Sequence, residues 1–459
     1  KEPAEGHWSY VEKWFTFALI WSVCGTADED GRKKFDTQIR EIEAQFPPQH
    51  QVYDFYVDIE TKDWKSWEER VNTSWRPAKD APFFKMIVPT VDTVRNSYVV
   101  ASQMKSKRPV MLVGNTGTGK TVGAVQYLES LGDKLTLVIN FSSASTSNST
   151  QEIIEGNMEK RSRDQYGPPG GRTLVCFCDD FNMPAKDTFG SQPPIELLRQ
   201  WMEYDGWYDR GKCTWRFIQD MSLIVAMGKP GGGRSVISQR MQSQFSMLNY
   251  TFPQDSQIQR IFESILTPGL SEFSDDIKQL AKPMVTATVD LYNFMVNNFK
   301  PTPVKCHYLF NLRDIAKVIQ GMLYADVAFI DNKESMLRLW IHECSRVFSD
   351  RLISYEDRDK ITAAFTDLSS QHFETTYDEV MEAVADKSLG PIFIDFMSEP
   401  VGDDSKKPYE EVTDIVKLRA LMEEKLDDFN MEPGFTPMEL VLFPDAMCHI
   451  ARITRVLSQ

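Results

Sequence analysis

The chain has 459 residues, 42% of them hydrophobic and 25% charged, with 51 Lys and Arg against 66 Asp and Glu for a formal net charge of -15. That length accommodates two to four domains, and the acidic balance argues against a nucleic-acid backbone as the main partner, because counterion release needs clustered cations. No stretch reaches the roughly 18 apolar residues needed to cross a bilayer and no charged-plus-apolar leader opens the chain, so no membrane partner is expected and Lys1 reads as internal to a longer protein.

In chain order, residues 1 to 45 carry aromatic-rich helices around Trp8 to Cys24 and read as the tail of a preceding domain. A Pro- and Trp-rich connector spans 46 to 85. From 109 onward strand and helix patterns alternate, as a parallel sheet with helices on both faces requires. Strands are predicted at 109 to 113, 135 to 141, 173 to 179, 221 to 227 and 247 to 252, and helices near 120 to 131, 149 to 163, 194 to 204, 238 to 245 and 256 to 266. A hairpin between 206 and 220 precedes the fourth strand. After Pro268 only helices follow, near 277 to 298, 309 to 324, 334 to 350 and 357 to 367, which predicts a helical lid over 269 to 385. From 386 to 459 a further unit begins, with a strand at 390 to 396, a loop at 401 to 408 and a helix at 411 to 428. The expected fold class is α/β: a phosphate-loop core of AAA+ type with a five-stranded parallel sheet over 86 to 268, followed by an all-helical lid.

Gly114-Asn115-Thr116-Gly117-Thr118-Gly119-Lys120-Thr121 stands between the apolar run Pro109 to Val113 and an amphipathic stretch to Leu131, the strand-to-helix setting a phosphate-binding loop requires. Its glycines let successive backbone N–H groups converge on phosphate oxygens at a helix N-terminus. Lys120 supplies a point charge to the outer phosphates, and Thr121 offers a hydroxyl to Mg²⁺. The expected cofactors are therefore ATP or ADP with Mg²⁺.

The run Thr173 to Asp180 reads as a buried parallel strand ending in two carboxylates aimed at the phosphates. Asp179 is expected in the Mg²⁺ shell, and Asp180 in the place of the residue that polarises the attacking water. The seven cysteines are scattered and odd in number, which suits a reducing compartment, and Cys176 and Cys178 share one face of the strand as core residues. His342-Glu343-Cys344-Ser345-Arg346 begins like a zinc-protease helix but has Arg346 where the second histidine would stand.

Longer strings carry a family resemblance. Asp179-Asp180-Phe181-Asn182-Met183-Pro184, Gly190 to Gln200, Pro89 to Arg95, Gly231-Gly232-Gly233-Arg234 and Leu339 to Leu352 resemble the third AAA+ module of axonemal dynein heavy chains. Residues 439 to 457 look like the start of the fourth module, and residues 1 to 45 then belong to the second. Pro184 to Asp187 and Ser235 to Ser238 look closest to outer-arm heavy chains. The resemblance implies that Val88, Pro89 and Thr90 lie against the adenine, and that Arg313 is a lid-domain sensor arginine reaching the phosphates. It implies too that Arg240 is an arginine finger acting in trans on the neighbouring second module. The structural alternatives are Arg313 as a helix-surface ion pair and Arg240 as a solvated side chain. Also implied are the other AAA+ modules of the same chain, microtubules contacted by a region outside this segment, and dynein intermediate and light chains as partners, in the cytoplasm and the cytoskeleton of a ciliary or flagellar axoneme.

The sequence departs from a catalytic AAA+ site twice. Asp180 stands where glutamate is usual, and Gly228 stands where an asparagine ends the fourth strand. Aspartate withdraws its carboxylate by one methylene, and a displacement of about 1 Å can cost on the order of a hundredfold in rate. Gly228 has no side chain to hold the lytic water. By the same resemblance the finger that completes this site comes from the fourth module, and the chain stops at Gln459 before that module's phosphate loop, as a piece cut from a ring would. The reading is of a nucleotide-binding regulatory module of a dynein motor with slow turnover of its own. The alternatives are an independent remodelling ATPase, which would need intact Glu and Asn, and a non-catalytic spacer locked by bound ADP.

Overall fold

The apolar runs read as strands pair into one parallel sheet in the computed structural model, which describes residues 5–42, 46–78, 81–398 and 407–458. The strands are β1 (Val110–Val113), β2 (Leu135–Asn140), β3 (Leu174–Asp179), β4 (Met221–Met227) and β5 (Ser246–Asn249). Their spatial order is β5-β1-β4-β3-β2, all parallel, as the predicted alternation of strands and helices requires. Residues 174 to 178 and 223 to 226 are buried to within 1% exposure, which explains continuous apolar runs in place of alternation. Register brings Met227 beside Val113 and Val225 beside Cys178, so β1, β3 and β4 end along one edge of the sheet.

The chain divides into two compact units, residues 1–74 with 89–253 and residues 75–88 with 254–459. In the first, the helix Glu5–Val23 contributes Phe17, Ile20 and Trp21 to the core that also holds Val110, Leu112 and Ile224. Residues 46 to 74 of the expected connector are part of that core: Phe55–Val57 and Trp64–Ser66 form an antiparallel pair, and Trp67 is fully buried. The Arg32 guanidinium reaches the β5 end, donating to Asn249 O at 2.7 Å and Thr251 Oγ1 at 3.2 Å, and burial lowers its pKa to about 10.

Several predicted elements differ from the expected bounds: the strand expected over 247 to 252 is Ser246–Asn249, and the helix expected near 238 to 245 is Gln239–Gln242. The helix drawn over 149 to 163 is Ser147–Glu155, closed at Gly156, and Glu159–Lys160 then pairs with Gln165–Gly167. The hairpin Gly206–Tyr208 and Trp215–Ile218 joins them in a four-stranded sheet.

In the second unit the helices Ala281–Asn298, Leu312–Met322, Lys333–Cys344 and Tyr355–Phe373 make the expected all-helical lid, and Asp255–Gly269, read from the sequence with the core over 86 to 268, groups with them. Leu312–Met322 starts on a capping box, with Asn311 Oδ1 accepting from the Arg313 N–H and Asp314 Oδ2 from the Asn311 N–H. The strand drawn over 390 to 396 is only Phe393–Ile394, paired with Glu410–Glu411, because Pro391 has no N–H to donate. The helix that follows is Ile415–Met431, and most of the loop expected at 401 to 408 lies outside the described residues. His342 is buried, its Nδ1 2.8 Å from Pro391 O and its Nε2 3.0 Å from the Tyr409 hydroxyl, while Arg346 Nη2 donates to Glu343 at 2.8 Å. No helix among the described residues is long and apolar enough to cross a membrane.

Candidate nucleotide site

The loop 114 to 119 leaves the C-terminal end of β1, and the helix Lys120–Glu129 starts from Gly119. Gly117 and Gly119 have φ of 87° and 82°, the left-handed region where an L side chain is strained. Nothing lies within 4 Å of where a Gly119 Cβ would stand, so the backbone itself demands glycine there. Gly114 is glycine for a different reason: a Cβ would meet Tyr250 O at 2.5 Å. Tyr250 comes from just beyond β5, and its N–H donates to Val113 O, tying β5 against the loop. Its hydroxyl pKa is raised by burial.

Lys120 Nζ lies over the loop, donating to Gly114 O at 3.0 Å and Asn115 O at 2.6 Å. Thr121 Oγ1 donates to Asp179 Oδ2 at 2.6 Å, so the hydroxyl and carboxylate expected to share a Mg²⁺ shell meet although 58 residues apart in the chain. Asp179 Oδ1 also accepts from the Asp180 N–H at 2.9 Å, and Asp180 has a φ of 49°. The site thus has a loop with two left-handed glycines, a lysine over it, and a Thr–Asp pair beside it. These are the donors that a triphosphate with Mg²⁺ requires.

The expected residues outside the loop are spread over both units. Thr90, 3% exposed, caps the helix Val91–Lys105, accepting from the Thr93 N–H at 3.2 Å. Pro89 precedes it, and Val88 belongs with the second unit. Arg313 opens the lid helix Leu312–Met322 with an exposed side chain, also in the second unit. Arg240 is exposed on the short helix Gln239–Gln242 of the first unit. Cys176 and Cys178 lie in the β3 core with sulfurs 3.9 Å apart, and their contact and burial raise the Cys178 thiol well above its usual pKa.

Asn182 and Arg234, which the sequence presents only within longer strings, meet at Gly228. Asn182, fully buried, donates from Nδ2 to Gly228 O at 2.9 Å and accepts at its own carbonyl from the Ser235 N–H at 2.9 Å. Arg234 closes a tight turn in which Gly231 and Arg234 exchange backbone hydrogen bonds at 3.0 and 3.1 Å across Gly232 and Gly233, both at positive φ. Its side chain lies on Gly228, where a Cβ would meet Arg234 Cδ and Nε at 3.0 Å, and its Nη2 reaches Asp180 Oδ1 at 3.2 Å. The run of three glycines before an arginine was the signal available in the sequence.

The chain is similar in sequence to known proteins along its length. Residues 75–253 match the family described as P-loop containing dynein motor region, residues 1–69 the dynein heavy chain AAA lid domain, and residues 284–383 the AAA+ lid domain. The chain is 48% identical over 461 residues to dynein axonemal heavy chain 2 of Homo sapiens, an alignment taking in 100% of this chain and 10% of the relative. It is 48% identical over 458 residues to the Mus musculus protein of the same name, covering 99% of this chain and 10% of that one. It is 44% identical over 451 residues to the dynein-1-beta heavy chain of the flagellar inner arm I1 complex of Chlamydomonas reinhardtii, covering 98% and 10%. The chain therefore spans about a tenth of the length of the curated relatives it matches. The name of this last relative states an inner arm, so it lends no support to the outer-arm detail of the resemblance.

Proposed function

This chain belongs to the AAA+ region of the dynein heavy chains, and on that footing we propose that it is the third AAA+ module with flanking parts of the second and fourth, a nucleotide-binding regulatory site in a motor that drives microtubule sliding in cilia or flagella. The observation that carries the reading is the 2.6 Å contact of Thr121 Oγ1 with Asp179 Oδ2, beside a loop that holds Gly117 and Gly119 in the left-handed region. Lys120 would neutralise the outer phosphates, and Thr121 and Asp179 would hold Mg²⁺, which when bound spreads the charge of the phosphate oxygens. Val88, Pro89 and Thr90 would contact the adenine, Arg313 would act as the lid sensor, and Arg240 would serve the neighbouring module. Other modules of the same heavy chain and, through regions beyond this segment, microtubules and the dynein intermediate and light chains are its proposed partners in the axoneme.

The site binds better than it hydrolyses. Asp180 is one methylene shorter than the usual glutamate, and nothing projects from Gly228 to orient water. A slow site has a use in a ring: its resident nucleotide sets the state through which the fast site's cycle is passed on, which is a coupling free energy between sites. The test is a full-length heavy chain carrying Lys120→Ala. Altered nucleotide-dependent release from microtubules supports the regulatory reading, whereas unchanged release makes the module a structural spacer.

A further inference from the structure

Arg234 engages Asp180, the carboxylate otherwise placed to accept a proton from the attacking water. β4 lies between β1 and β3 in the sheet, and Gly228 directly follows β4. A side chain lying on Gly228 therefore stands between the strand that carries the phosphate loop and the strand that carries Asp179 and Asp180. Arg234 is that side chain, with its stem 3.0 Å from the site of a Cβ on Gly228 and its Nη2 3.2 Å from Asp180 Oδ1. Three features hold it there: the Gly231–Arg234 turn, the bond from Asn182 Nδ2 to Gly228 O, and the bond from the Ser235 N–H to Asn182 O. Arg234 Nε is buried without a hydrogen-bond partner among the described residues, so the chain accepts an unmet donor to keep the guanidinium in this position.

Resting on the nucleotide reading above, we propose that Arg234 is a positioning residue that restrains Asp180 and so keeps this site's turnover slow. Hydrolysis forms a bond from the water oxygen to the terminal phosphorus, breaks the bond to the bridging oxygen, and passes the water proton to a base, leaving ADP and phosphate. A carboxylate already accepting from a guanidinium N–H has that oxygen committed, here through the single contact from Arg234 Nη2 to Asp180 Oδ1. Asp180 must give up that contact or work around it. Gly228 belongs to the same device, because a Cβ there would crowd the Arg234 stem at 3.0 Å and make it shift by a few tenths of an ångström.

The test uses the full-length heavy chain, in which the neighbouring modules complete the site, and follows conversion of Mg²⁺-ATP pre-bound at this module to ADP in a single turnover, alongside ATP affinity. Arg234→Gln keeps the stem over Gly228 and removes the charge. It is expected to raise the conversion rate on the order of tenfold, a small part of the 10²–10⁴ that a positioned base supplies, with affinity unchanged. Arg234→Lys, which restores a positive charge, is expected to bring the rate back toward the slow value. A rate in Arg234→Gln equal to or below that of the unaltered chain, with affinity intact, overturns the restraint. A loss of ATP affinity in Arg234→Gln also overturns it, since the arginine would then serve binding. Failure of the unaltered chain to bind ATP refutes instead the nucleotide reading on which the proposal rests.

Discussion

Thr121 donates its hydroxyl to Asp179 across 2.6 Å, joining the first turn after the phosphate loop to the end of β3. If the pair shares a metal, Asp179→Asn keeps an oxygen that can accept from Thr121 and removes the charge a divalent cation needs. The affinity for Mg²⁺-ATP is expected to fall by about tenfold or more, the equivalent of about 1.4 kcal/mol, while affinity measured in excess chelator changes little. Calorimetric titration with and without Mg²⁺ separates the two. Equal losses under both conditions would mean that Asp179 only orients Thr121.

Gly119 tests the loop without touching its charges. Its φ of 82° is costly for alanine although the Cβ would meet nothing within 4 Å, so Gly119→Ala is expected to cost about 1–2 kcal/mol of backbone strain. ATP affinity should fall roughly tenfold with the far-ultraviolet circular dichroism unchanged. An unaltered affinity would indicate that the loop need not hold this conformation to bind.

The loop, β1 and the acidic end of β3 were legible because each is a contiguous string whose chemistry needs its neighbours: glycines before Lys120 and Thr121, and an apolar run before Asp179. Of the four-stranded sheet beside the core only the hairpin between 206 and 220 was legible. Glu159–Lys160 is a two-residue exposed strand with no alternation to read, and the helix before it stops at Gly156, where apolar periodicity alone carried it on. Arg234 escaped for a further reason. Its contact with Asp180 depends on β4 lying next to β3, and strand order is a property of the folded sheet that spacing along the chain does not express.

In the second unit Glu343 is fully buried, accepting from Arg346 Nη2 at 2.8 Å and from the Tyr409 hydroxyl at 2.8 Å, with Arg455 Nε at 3.8 Å. Glu343→Ala removes the buried carboxylate that the Arg346 guanidinium and the Tyr409 hydroxyl contact, and is expected to lower stability by about 3–5 kcal/mol. Urea denaturation of the two proteins measures it. A loss under about 1 kcal/mol, as at an exposed pair, would show that solvent reaches the cluster.

Asp357 accepts from Lys305 and, at 2.9 Å, from the Tyr308 hydroxyl. The Lys305 contact first, and those hydrogen bonds with it, lower its pKa to about 2. A depressed carboxylate stabilises the fold above its unfolded pKa of about 3.9 and loses that contribution as pH falls through the folded value. Asp357→Ala should therefore lower the melting temperature at pH 7, and the gap to the unaltered chain should close between about pH 4 and pH 2. A gap that stays constant over this range would assign the effect to packing instead of charge.

The most direct measurement is the nucleotide content of the purified chain after incubation with Mg²⁺-ATP, with Lys120→Ala treated identically. The expected result is about one ATP or ADP per chain, lost in Lys120→Ala and reduced by chelating Mg²⁺. A stoichiometric nucleotide retained by Lys120→Ala, or none bound by the unaltered chain at saturating ATP, would contradict the assignment of the loop 114 to 121 as the binding site.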